Sequence, residues 1–245
     1  MPTRLVELAV DSADPSAQAR FWAAALGWEV ADDRPDEASV QPAGFDYPSP
    51  TALPLVFAAV PEPKTVKNRV HLDLASASAD DQAEQVRRLK DRGAAAVDIG
   101  QGDVPWVVLA DPEGNEFCVL EPREVYRDTG PVAAVPVDSA DPVAQARFWT
   151  EAAGWPVIES GPDFASLRSP AGNGPFLEFL RVPEAKTVKD RLHLDIRPHP
   201  GEDHLAEAKR LQDLGARPAD VGQGDVPWVV LADPEGNEFC VLTPR

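Results

Sequence analysis

The residues best suited to chemistry in this sequence come in matched pairs. His71 and His193 each precede an aspartate by two positions, in VHLDL and LHLDI. Both segments are short and apolar and read as strands, where residues two apart share a face. His71 with Asp73, and His193 with Asp195, therefore bring an imidazole and a carboxylate to one space. Such a pair could exchange a proton with a substrate, or the aspartate could do no more than hydrogen-bond the ring. The two cysteines are matched as well, Cys118 and Cys240 each lying in NEFCVL. Equivalent positions in two copies of one motif argue against a disulfide framework and fit thiols kept in a reducing compartment. Two carboxylates have no such match. Glu7 sits in a strand over 3–10, whose alternation puts Leu5, Glu7 and Ala9 on one face and Val6, Leu8 and Val10 on the other. Glu178 interrupts the apolar run PFLEFLRV where the other half of the chain has Val56. Trp106 and Trp228 each follow a proline on a strand, and they either wall a flat, apolar ligand or pack.

The elements that must position these groups are duplicated. QGDVPWVVLADPEGNEFCVL runs over 101–120 and again, letter for letter, over 223–242. A repeat recurring at a spacing of half the chain exceeds any solenoid unit and matches a small domain of roughly 120 residues. The units span 1–122 and 132–245, with the polar, Pro- and Gly-containing segment 123–131 as linker. Each opens with a strand and then a helix, over 15–26 in the first, with Asp14 as N-cap, Pro15 at the first helical position and Gly27 beyond the end. Asp141, Pro142 and Gly154 repeat those roles. Three short extended segments follow, then a basic loop (PKTVKNR over 63–69, AKTVKDR over 185–191) that enters the His strand. Amphipathic helices over 79–92 and 202–214 come next, and strands joined by an Asp-Pro-Glu-Gly turn close each unit. Each unit is thus two successive βαβββ modules. Phe21, Trp22, Phe148 and Trp149 lie on the first helices and belong to the core. The loop cations Lys64, Lys67, Arg69, Lys186, Lys189 and Arg191 either guide an anion toward the His strands or pair with acidic neighbours. His199 and His204 lack counterparts and take exposed roles.

Composition narrows the partners. The formal net charge is −18, with 41 acidic and 23 basic residues, which excludes the basic footprint of a nucleic-acid binder. It suits a cationic ligand, or serves only to keep the surface solvated. No apolar run approaches a membrane span and no secretion signal opens the chain, so the expected location is cytoplasmic.

The order of these motifs resembles the vicinal oxygen chelate superfamily, which includes glyoxalase I, extradiol dioxygenases, fosfomycin-resistance thiol transferases and bleomycin-resistance proteins. The resemblance rests on Asp14-Pro15, Phe21-Trp22, Leu26-Gly27-Trp28, the His71 strand and the turn 111–115, all of which recur in the second unit. It implies an α+β fold of two tandem glyoxalase-like units, each of paired βαβββ modules forming a curved, incomplete β-barrel around a cavity. It also implies metal ligands on the first, fourth, fifth and last strands of a site. Carried over, the first position is Glu7 or Ala134, the fourth Val56 or Glu178, the fifth His71 or His193, and the last Cys118 or Cys240 where relatives keep Glu. Every way of pairing the modules, within or across units, gives one Glu, one His and one Cys per cavity. Such a set suits Zn²⁺ or Fe²⁺ if a metal is bound, and the Cys for Glu exchange argues against standard glyoxalase I activity. The resemblance therefore implies a small-molecule protein. It is either a divergent lyase, isomerase or oxygenase, with His71, His193, Glu7 and Glu178 as ligands or acid/base groups, or a binding protein that sequesters a drug, the acidic charge suiting a cationic one. Asp73, Asp195, Cys118, Cys240, Trp106 and Trp228 would contact the ligand. A monomer with internal pseudo-twofold symmetry is expected.

Overall fold

The computed structural model describes residues 3–245. The first unit contributes β1 (Thr3–Ser12), α1 (Pro15–Leu26), β2 (Glu29–Asp33), β3 (Glu37–Gln41), β4 (Leu55–Ala59), β5 (Leu72–Leu74), α2 (Ala79–Asp91), β6 (Ala95–Ala96), β7 (Val107–Ala110) and β8 (Glu116–Val119). A 3₁₀ turn over Glu124–Tyr126 leads into the second unit. That unit contributes β9 (Val132–Ser139), α3 (Pro142–Ala153), β10 (Val157–Ser160), β11 (Phe164–Arg168), β12 (Phe176–Arg181), β13 (Leu192–Pro198), α4 (His204–Asp213), β14 (Arg217–Pro218), β15 (Val229–Ala232) and β16 (Glu238–Val241). The order is the predicted βαβββ module, four times over.

The modules pair across the units. The first sheet runs β14-β15-β16-β13-β1-β4-β3-β2, and the second runs β10-β11-β12-β9-β5-β8-β7-β6. Each joins the opening module of one unit to the closing module of the other through the central pairs β1–β13 and β9–β5, both antiparallel. Neither sheet closes into a barrel. This settles which residues can share a cavity: β1 faces β13, and β5 faces β9.

Helices and turns hold each unit together while the sheets cross between them. In α1 the Asp14 carboxylate accepts the Ala17 N–H at 2.9 Å, and Gly27 takes the left-handed conformation (φ 67°) that ends the helix. The turn between β7 and β8 clasps this helix. Asp111 accepts hydrogen bonds from Gln18 Nε2 at 2.9 Å, Trp22 Nε1 at 3.2 Å and both nitrogens of Asn115. Glu113 reaches back to the N–H groups of Ala13 and Asp14 and the hydroxyl of Ser12. Trp22 packs edge-on against Phe117 at 5.0 Å. In the second unit Asp233, Glu235 and the Trp149–Phe239 pair do the same. The letter-for-letter repeat is therefore largely a clasp, and the core it secures is shared by both sheets.

Several local expectations shift. The simple alternation of β1 breaks at a bulge between Leu5 and Glu7. Leu5 joins Leu8 and Val10 in the main core, and Val6 turns to the cluster with Cys240, Val230 and Leu242. The extra residue changes the phase of the strand, as bulges do. Helix α4 begins at His204, not 202, because Asp203 is its cap and accepts the Leu205 N–H. Trp106 and Trp228 immediately precede β7 and β15 and are not in them.

Candidate functional site

In the second sheet, β5 and β8 run parallel, with Asp73 in register with Cys118. His71 lies just before β5. Its N–H reaches Pro136 O at 3.2 Å, but Pro136 has no N–H to return, and the ladder narrows there. The ring Nε2 of His71 stands 3.5 Å from Asp73 Oδ1. That oxygen is buried and has no hydrogen-bond partner among the described residues. Across β9, Glu178 of β12 accepts the Tyr126 hydroxyl at 3.1 Å and the Ser166 hydroxyl at 3.3 Å, both on Oε1. The small side chains of Ala133 and Ala134 on β9 lie between, packed with Cys118. Arg123 lies 5.8 Å from the ring centres of both Trp106 and Tyr126, and Trp106 is oriented by its Nε1–H bond to Gln101 at 2.9 Å. His71, Asp73, Cys118, Glu178, Trp106 and Arg123 border a cavity of about 1150 Å³ whose rim is the two basic loops.

The first sheet repeats the arrangement with different supports. His193 Nε2 is 3.4 Å from Asp195 Oδ1 and 3.5 Å from Cys240 Sγ, and Asp195 Oδ1 again has no hydrogen-bond partner among the described residues. Here the glutamate is Glu7, paired in register with Asp195. It accepts the Tyr47 hydroxyl at 2.9 Å, and the buried Arg197 donates Nε–H to the same phenol oxygen at 3.1 Å. Arg245, at the repeat position of Arg123, lies 5.9 Å from the Tyr47 ring centre. Trp228 is 36% exposed and does not border the large cavity, unlike its counterpart Trp106.

Burial sets the protonation of both clusters. It holds the His71 imidazole down at about 3, with Lys67 adding to the effect, and the His193 imidazole at about 4. Both rings are neutral near pH 7. Burial pushes the Asp73 carboxyl up to about 7 and that of Asp195 well above the usual carboxylate range. The thiols of Cys118 and Cys240 are pushed up for the same reason, as are the carboxyls of Glu178 and Glu7 against the pull of their tyrosines. Each cluster is thus driven to its uncharged forms, a pattern that a bound cation reverses.

The residues singled out in the sequence meet across units: Glu178 with His71, Asp73 and Cys118, and Glu7 with His193, Asp195 and Cys240. Tyr47, Tyr126, Arg123 and Arg197 are additions. Tyr126 comes from the segment read as a linker, and its signal was its type, since the chain has only two tyrosines and each serves a half-buried glutamate. The loop cations are paired. Lys64 binds Glu116 and Lys186 binds Glu238, each at 2.7 Å, while Lys67 binds Asp138 at 2.7 Å and Lys189 binds Asp11 at 2.5 Å.

The donor atoms of His71, Asp73 and Cys118 all lie within 4.8 Å of one another, as do those of His193, Asp195 and Cys240. The unpartnered aspartate oxygen in each, and the imidazole–carboxylate–thiol chemistry, fit a borderline divalent ion such as Zn²⁺ or Fe²⁺. Glu178 and Glu7 fall outside these groups.

A family model described as a glyoxalase-like domain matches residues 7–120 and again 134–242. Glyoxalase I from Zea mays has a similar solved structure, with TM-score 0.65 and 14% identity over 98% of this chain and 92% of the maize chain. A candidate dioxygenase of Bacillus subtilis gives TM-score 0.63 and 14% identity over 99% of this chain and 85% of its own. At such identities the likeness is one of fold. No curated protein sequence matches the chain significantly.

Proposed function

The chain belongs to the glyoxalase-like domain family of the vicinal oxygen chelate superfamily, and from that premise we propose that it holds a small organic molecule in the cavity of the second sheet. The observation that carries this reading is the cavity itself: about 1150 Å³, with an aromatic wall at Trp106 and polar groups converging at His71, Asp73 and Glu178. A site of that size with few, placed polar groups suits a drug-sized ligand. A divalent ion held by His71, Asp73 and Cys118 would supply Lewis-acid polarisation of a ligand oxygen.

The chain's own groups divide the remaining work. Trp106 and the Arg123 guanidinium offer a flat face and a cation to a planar or anionic portion of the ligand. Glu178 has both its tyrosine and serine donors on Oε1, so Oε2 is the atom left to exchange a proton. Burial raises its carboxyl above the usual range, the direction that general acid–base work calls for. Those features favour an enzyme. The carboxyl groups of Asp73 and Glu178 on one cavity also favour a second reading, capture of a cationic drug without reaction.

Thermal shift across a panel of aromatic, anionic and cationic small molecules tests the binding, followed by mass analysis of each stabilising compound after incubation. The expected result is stabilisation that Trp106→Ala abolishes, with ligand conversion lost in Glu178→Gln. Stabilisation without conversion favours drug capture. A panel with no stabilising member, or stabilisation unaffected by Trp106→Ala, removes the cavity from consideration.

A further inference from the structure

We infer that each sheet carries its own site for a thiophilic divalent ion, in which aspartate, not glutamate, completes the ligand set. The second sheet's ligands are His71, Asp73 and Cys118, and the first sheet's are His193, Asp195 and Cys240. Glu178 and Glu7 stand outside the metal shell. The second sheet's site borders the cavity proposed for the ligand and the first sheet's does not; the test reads the metal directly, so either reading can fail without the other.

Geometry is the first argument. A tetrahedral ion with bonds of about 2.0 Å to nitrogen, 2.0–2.2 Å to oxygen and 2.3 Å to sulfur separates its donors by about 3.3–3.6 Å. The distances here are 3.5 Å for His71 Nε2 to Asp73 Oδ1, 3.4 Å for His193 Nε2 to Asp195 Oδ1 and 3.5 Å for Cys240 Sγ to His193 Nε2. Those spacings are those of ligands around a common point, and they are long for hydrogen bonds between nitrogen and oxygen.

The second argument is what the aspartates lack. Asp73 and Asp195 are 8% and 5% exposed, and the Oδ1 atom of each has no hydrogen-bond partner among the described residues. A buried carboxylate oxygen left unpaired is costly, and the cost recurs in two sheets whose other supporting residues differ. The glutamates show the opposite: each is satisfied by a tyrosine hydroxyl, at 3.1 Å for Glu178 and 2.9 Å for Glu7. Register explains the choice. Asp73 lies beside Cys118, and Asp195 beside Cys240, on adjacent parallel strands, while His and Asp two apart share a strand face. The thiol then selects Zn²⁺, Co²⁺ or Fe²⁺ over Mg²⁺ or Ca²⁺.

The full chain, stripped with chelator and titrated with Co²⁺, tests this. Thiolate-to-cobalt charge-transfer absorption is expected to saturate at two equivalents per chain and to resist excess Mg²⁺, with Cys118→Ser and Cys240→Ser each removing one. Asp73→Asn and Asp195→Asn are each expected to weaken their site by more than about 100-fold, beyond the 10–100-fold typical of outer-shell partners, while Glu178→Gln and Glu7→Gln stay within about threefold. Thermal melts separate ligation from folding: the Asp→Asn variants should melt no lower than wild type without metal, yet lose its metal-induced gain. Absence of charge-transfer absorption, or Glu→Gln variants that weaken Co²⁺ as much as Asp→Asn, would overturn the assignment.

Discussion

The two His-Asp-Cys clusters stand on strands of matching sequence, yet their surroundings were assembled from unrelated places. In the second sheet the glutamate comes from β12 and its tyrosine from the segment between units, and the group borders a large cavity. In the first sheet the glutamate comes from β1, its tyrosine from the loop between β3 and β4, and a buried arginine, Arg197, joins them. Arg197 replaces the small Ala75 of the other copy. The difference teaches where freedom lies in this architecture. The closing modules supply the donors and the clasp together, and the opening modules and linker supply what surrounds the donors.

If the inequality of the sites is local, the clasps must be equivalent, and that comparison carries the largest expected effect. Asp111→Ala strips an acceptor from Gln18, Trp22 and Asn115, and Asp233→Ala does the same to Gln145, Trp149 and Asn237. Each should cost about 3–5 kcal/mol, the range for leaving several buried partners of a charged group unpaired. Urea unfolding checks it. Because the sheets cross between units, both variants should lose structure in one transition; a clear second transition, or losses that differ widely between the two, would break the equivalence.

The tyrosines should separate the sites. Tyr47→Phe removes the bridge between Glu7 and Arg197 and should cost about 2 kcal/mol, because the half-buried Glu7 and the buried Arg197 both lose a partner. Tyr126→Phe leaves Glu178 its Ser166 bond and should cost about 1 kcal/mol. Equal losses in unfolding midpoints would mean that the first sheet's network is no tighter than the second's.

Much of this architecture is legible in the sequence because duplication writes it twice. The caps Asp14 and Asp141, the module order and the paired His strands follow from local pattern. Which modules share a sheet does not, since the same strands satisfy their edges within or across units and only the register of β1 on β13 decides. The glutamates' true neighbours were hidden for a related reason. Tyr47 and Tyr126 come from irregular segments with no periodicity, and Asp73 was visible as a partner of His71 but not as the residue facing Cys118. The bulge in β1 escaped because one inserted residue changes strand phase without changing composition.

A smaller asymmetry lies at the cavity rim, where the first unit has Asn68 and the second Asp190. Asn68 donates its amide to Asn115 at 3.0 Å. Asp190 has no proton to donate in its ionised form, and its Oδ2 is buried without a hydrogen bond among the described residues, 3.9 Å from Lys186 Nζ. Burial pushes its carboxyl up to about 8, against the pull of Lys186 and with the nearby Glu238 adding to the rise. The folded chain therefore keeps a proton that the unfolded chain releases near pH 4, so stability falls as pH rises from about 4 to about 8 and is level above that. Asp190→Asn, which copies the first unit, removes this dependence and should stabilise the protein by about 1–2 kcal/mol at pH 8, less at pH 5. Chemical denaturation at the two pH values measures it. A gain that is equal at both would assign the benefit to a new amide bond with Asn237, as in the first unit, and not to loss of a buried charge.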